Sequence, residues 1–136
     1  MIIINFGPHS KDELTIALDE EGASLLVSKV SAMLPVTPKS EIIDCLIYFG
    51  RKVNVAKIEL RAGISDQLDV KNNGLLLTLS CDALEYAKHQ LLVFLEKGYF
   101  FPAEFWSFSR PKRKYETQIF FVKFSSTEGA IRTDAK

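Results

Sequence analysis

Cys81 is the residue best placed to act as a nucleophile. It follows Ser80 at what reads as the first turn of a helix, where unpaired backbone N–H groups and the helix dipole lower a thiol pKa. A thiolate enzyme also needs a base within hydrogen-bond reach. His89 lies eight residues along the same helix, about 12 Å away at 1.5 Å per residue, which is too far. His9 could approach only through the fold. A small packed cysteine is therefore the expected role of Cys81, and Cys45, inside an apolar strand-like run, reads as core.

Asp82, Glu85 and His89 stand at helical spacing on one face, which could hold a metal with further ligands. They lack the HExxH pattern and any supporting His or Cys cluster, so a solvated helix face is expected instead. Asp19, Glu20 and Glu21 cluster beside Gly22. Carboxylates held in a cleft could do acid–base work, but acidic residues also suit the start of a helix. No phosphate-binding glycine loop, GxSxG elbow or dinucleotide fingerprint occurs. The expectation is a non-enzyme without a cofactor or metal.

The densest charge run is Arg110, Lys112, Arg113 and Lys114, beside Phe105, Trp106, Phe108 and Tyr115. Basic residues interleaved with rings suit single-stranded nucleic acid, where charge tracks phosphate and rings stack on bases. A solvated hairpin tip accounts for the same run. The whole chain argues against nucleic acid. Its 136 residues carry 17 Lys plus Arg against 17 Asp plus Glu, a net charge of zero, where a dedicated nucleic-acid binder usually shows a basic excess.

At 47% apolar and 25% charged, the composition is that of a globular chain, and its length suits one core. The N-terminal Ile run is too short for a secretory h-region. The longest apolar runs, such as Leu91–Leu95, fall far short of the roughly 20 residues that span a bilayer. Two cysteines without a CxxC motif give no disulfide framework, so a cytoplasmic location with reduced thiols is expected. One domain over 1–124 and a polar tail over 125–136 are read.

The elements that would position these residues follow from periodicity. Residues 1–6 and 13–19 read as strands, the second by alternation of Leu14, Ile16 and Leu18. Asp19 reads as the cap of a helix over about 21–34, with Leu26, Val30, Met33 and Leu34 as its apolar stripe and Pro35 and Pro38 as stops. Residues 41–49 and 53–60 read as a hairpin about a turn at Gly50-Arg51-Lys52. In the second strand Val53 and Val55 differ in parity from Ile58 and Leu60, so a bulge near Ala56-Lys57 is expected. Residues 61–74 read as polar, ending in a hairpin-type turn at Lys71-Asn72-Asn73-Gly74. A strand over 75–79, a helix opened by Ser80 and ended by Gly98, and strands over 103–109 and 115–124 complete the chain.

The order strand, helix, strand, turn, strand occurs twice, at a constant spacing of 61 residues that sets Leu14 on Leu75, Leu18 on Leu79 and Leu34 on Leu95. Any two amphipathic strand–helix units align about this well, so periodicity leaves a true duplication undecided. The expected fold is α+β: a mostly antiparallel sheet with two helices on one face, as two βαββ units. Leu76, Tyr48, Trp106, Phe108 and Phe120 are then candidates for an uncovered opposite face, which would serve a partner or close by homodimerising.

The run Glu13-Leu-Thr-Ile-Ala-Leu-Asp-Glu-Glu-Gly-Ala-Ser-Leu-Leu resembles small bacterial immunity proteins of polymorphic and contact-dependent toxin systems. Several of those families join a strand, one or two acidic residues, a Gly and a Leu-rich helix. The second unit, Leu75 to Leu95, has Cys81-Asp82-Ala83 in place of the acidic–Gly step. The resemblance covers some 20 residues per unit. It implies an antidote that binds a cognate toxin domain and blocks its active site, and it carries over no contact residue. The contact residues expected here are Asp19, Glu20 and Glu21 together with Phe105, Trp106 and Phe108. Arg110, Lys112, Arg113 and Lys114 belong to the nucleic-acid alternative.

Overall fold

The computed structural model describes residues 1–6, 12–34, 40–49, 52–72 and 74–124. His9, Pro35, Pro38, Arg51 and the 125–136 tail lie outside them. Within them the chain forms β1 (Ile2–Phe6), β2 (Glu13–Leu18), α1 (Glu20–Met33), β3 (Ser40–Phe49), β4 (Lys52–Ala62), β5 (Gln67–Lys71), β6 (Gly74–Leu79), α2 (Cys81–Lys97), β7 (Glu104–Phe108) and β8 (Thr117–Lys123). The strands make one sheet in the order β5-β6-β4-β3-β1-β2-β8-β7. The four sequence-adjacent hairpins are antiparallel, and the three joints between them, β1–β3, β2–β8 and β4–β6, are parallel. The fold is α+β with a mostly antiparallel sheet, as expected.

The two end strands meet. Gln67 of β5 bridges Ser109, just past β7, in parallel sense. The Leu68 N–H donates to the Ser109 carbonyl at 2.8 Å, and the Ser109 N–H donates to the Asp66 carbonyl at 3.0 Å. The sheet thus curls until its edges touch, which removes most of the unpaired edge that an open sheet would present.

Both helices start at side-chain caps. Asp19 accepts from the Gly22 N–H at 2.7 Å, and Ser80 accepts from the Ala83 N–H at 3.2 Å, each satisfying a donor that a helix start leaves unpaired. Gly98 ends α2 in the left-handed conformation at φ 84°, and its N–H donates to the Phe94 carbonyl at 2.7 Å. Ala23, Leu26, Val30 and Met33 of α1 and Ala83, Leu84, Leu91 and Phe94 of α2 share one core with the inward strand residues Leu14, Ile16, Leu18, Ile43, Ile47, Ile58, Leu77, Leu79, Ile119 and Phe121. Both helices therefore lie on the same face of the sheet.

The repeat extends to the register. Moving 61 residues along the chain carries β2, Glu13–Leu18, onto β6, Gly74–Leu79, and the cap Asp19 onto the cap Ser80. It also carries the β2–β8 ladder onto the β6–β4 ladder. Glu13 pairs with Gln118 as Gly74 pairs with Lys57, and Leu18 pairs with Lys123 as Leu79 pairs with Ala62. Even the hydrogen bond closing each ladder matches: Phe124 N–H to the Leu18 carbonyl at 2.8 Å, and Gly63 N–H to the Leu79 carbonyl at 3.0 Å. The two halves are related by a pseudo-two-fold in which each unit is ββαββ, one strand longer than the expected βαββ.

Three sequence expectations are corrected. The segment 61–74 is not merely polar: β5 lies within it, carrying the fully buried Leu68. No bulge interrupts β4, whose pairing with β3 runs unbroken from Ser40↔Arg61 to Phe49↔Lys52. Ala56, Ile58 and Leu60 point inward, while Val53 and Val55 point outward and stay 45% and 82% exposed. The assumption that both valines must be buried is what demanded a bulge. Finally, a bulge does occur between Glu104 and Trp106 in β7. It turns Phe105 and Trp106 both toward α2, with ring centroids 6.4 and 5.7 Å from Tyr86. Trp106 is therefore not on the uncovered face, and neither is Phe108, which is fully buried.

Candidate functional site

The acidic step Asp19-Glu20-Glu21 sits where β2 hands over to α1. Gly22 is required there, because a Cβ on it would fall on the Met1 carbonyl. Asp19 faces inward to its cap and to the Met1 amino group at 2.5 Å. Burial pushes its carboxyl upward, but those two hydrogen bonds and the charge of the amine outweigh it and hold the group below its ordinary value of 3.8. Asp19 is thus occupied structurally. Glu20 and Glu21 are exposed and point their charge outward.

These acids edge an open recess of ≈ 320 Å³. Phe94, Gly98, Lys123 and Phe124 complete its lining. Directly after Gly98 the chain presents Tyr99 and Phe101, 52% and 84% exposed. Sequence reasoning missed this pair; the signal was the run of aromatics after a helix-ending glycine, where no strand or helix remains to bury them. Exposed rings beside a shallow charged recess suit a protein contact, since aromatic anchors carry much of the binding energy in interfaces.

The aromatic strand is different. Phe105 and Phe108 are 5% and 0% exposed and belong to the core. Phe105 stacks on Phe121 at 4.7 Å. Trp106 is half-buried, and its indole N–H donates to Asp66 at 2.9 Å. These three do not form a contact surface with the acidic step, because the β7 bulge commits them to the inside.

Arg110, Lys112, Arg113 and Lys114 lie on the turn between β7 and β8. The last three are exposed, and Lys112 takes a positive φ of 60°. Lys114 Nζ stands 5.6 Å from the ring centroid of Tyr115, which is 63% exposed. Arg110 is half-buried, with Nε buried and unpartnered. Burial, then the charge of Arg113, lowers its pKa, against the opposing pull of Asp12 and Asp69.

Cys81 is exposed at the first position of α2, and Cys45 is buried; neither is in a disulfide. Burial, then the neighbouring Asp44, pushes the Cys45 thiol up to about 12, with Lys57 opposing. Asp82, Glu85 and His89 are all exposed on α2. Among the described residues no group of three or more His, Cys, Asp or Glu is placed to hold a metal, and no helix is long and apolar enough to cross a membrane. No protein-family model, no curated protein and no solved structure matches this chain.

Proposed function

We propose that this protein is a non-catalytic protein-binding module, and specifically an immunity protein that occludes a cognate toxin domain. The observation that carries the reading is the open recess edged by Glu20 and Glu21, with Tyr99 and Phe101 exposed directly beyond Gly98. Carboxylates at a rim steer a basic partner surface and set partner choice, while rings supply the anchor. The resemblance of the Glu13–Leu26 run to immunity proteins supports the same surface, because the acidic–Gly step is its most distinctive part. The pseudo-two-fold supports it as well: the equivalent step in the second half is Cys81-Asp82-Ala83, with one acid instead of two. Co-expression with a neighbouring gene encoding a toxin-like C-terminal domain tests the reading. Cell survival and co-purification are expected, and toxicity unrelieved by this protein would overturn it.

A second reading has its own observation. The exposed Lys112, Arg113 and Lys114 stand beside the exposed Tyr115 ring, an arrangement suited to a single-stranded nucleic acid. Burial of Phe105 and Phe108 leaves that site with few rings for stacking, so it ranks second. Fluorescence anisotropy with a labelled single-stranded oligonucleotide separates the two. Binding at 200 mM salt that is lost in Arg113→Ala/Lys114→Ala favours nucleic acid.

A further inference from the structure

The pseudo-two-fold provides an internal control for the sheet face opposite the helices. In the first half a cross-strand row runs Val122–Ala17–Ile3–Leu46 and ends at Val55. In the second half the equivalent row runs Arg61–Thr78–Gln67–Ser109, by the same sequence of pairings. The fold therefore forms with polar residues at these positions, and the apolar ones are not there to hold the sheet together. Yet Val55 is 82% exposed, Val53 beside it 45% and Ile42 54%. An apolar patch that folding does not require points to an interface.

We infer that this face, centred on Ile3, Leu46 and Val55, is the contact surface of a homodimer. Its outward charges near the row, Asp44 and Lys57, neutralise each other at 2.6 Å. A strongly charged partner finds nothing complementary there, whereas a second copy presents an equally neutral apolar face across a two-fold axis. The size also fits. At about 4.8 Å between strands and about 3.3 Å per residue, the five strands β4, β3, β1, β2 and β8 make a face of roughly 400–850 Å². A standard interface buries about 800 Å² per partner. This surface is separate from the recess at α1 and does not rest on the toxin-binding reading.

Sedimentation equilibrium on the full chain tests the inference. The average mass is expected to rise with concentration from 15.3 kDa toward twice that value. Ile42→Glu/Val55→Glu is expected to stay at the monomer mass at every concentration. Both positions are exposed, so circular dichroism should match the parent. Gln67→Lys, at the position equivalent to Ile3, is expected to dimerise like the parent. A mass of 15.3 kDa throughout, or a dimer that Ile42→Glu/Val55→Glu leaves intact, overturns the proposal. So does a dimer that Gln67→Lys abolishes.

Discussion

The Trp106 indole N–H donates to the Asp66 carboxylate at 2.9 Å, across the seam where β5 meets the end of β7. The same carboxylate accepts from the Ser80 N–H at 2.7 Å and the Ser80 hydroxyl at 3.1 Å. One side chain thus ties the closing edge of the sheet to the start of α2. Asp66→Ala leaves these half-buried donors without their acceptor, and a loss of about 1–3 kcal/mol is expected in urea denaturation. Trp106 is the only tryptophan, so its emission should shift to the red in the same variant. Asp66→Asn keeps one acceptor and should lose less.

Asp19 plays the corresponding part for α1. Asp19→Ala should cost about 1 kcal/mol through loss of the cap. The pH dependence follows from its lowered pKa. The carboxylate's contribution is complete above the ordinary value of 3.8 and is lost as pH falls through the lower folded value. The stability gap between the parent and Asp19→Asn should therefore be constant near neutrality and shrink only below pH 3.8, as followed by denaturation at a series of pH values.

Gly74 has φ 148°, and a Cβ there would fall on the Lys57 carbonyl in the adjoining strand. Gly74→Ala must either distort the β4–β6 ladder or break it. A loss of about 3 kcal/mol or more is expected, measured by thermal or urea unfolding.

The two thiols should separate in a titration with a disulfide reagent. Cys81 is exposed and should react at once. Cys45 is buried, with its pKa raised to about 12, so its thiolate is scarce at pH 8 and reaction should wait for unfolding. Rapid reaction of both would contradict the described core.

Most of the secondary structure was legible because its signals are local. The caps Asp19 and Ser80, the Gly98 stop and the alternation of Leu14, Ile16 and Leu18 each depend on neighbours in sequence. The repeat spacing was legible for the same reason and proved to hold in the pairing register. What failed depended on partners far along the chain. β5 has Leu68 as its sole fully buried side chain, so no alternation announces it. Val53 and Val55 look like core until β3 fixes which face they take. The bulge at Trp106 depends on how β7 meets β8, and it moved three expected contact residues toward the interior. The acidic step survived as a surface because Glu20 and Glu21 stand on the solvent side of a helix start. Tyr99 and Phe101 were found only once the fold showed that nothing covers them.

The central claim is that the recess at the start of α1 binds a basic protein partner. Isothermal titration calorimetry against the toxin-like domain encoded beside this protein tests it most directly. A Kd below about 1 μM is expected for the parent, weakened at least about tenfold, or about 1.4 kcal/mol, in Glu20→Lys/Glu21→Lys. No measurable binding by the parent, or equal affinity for parent and variant, would contradict the claim.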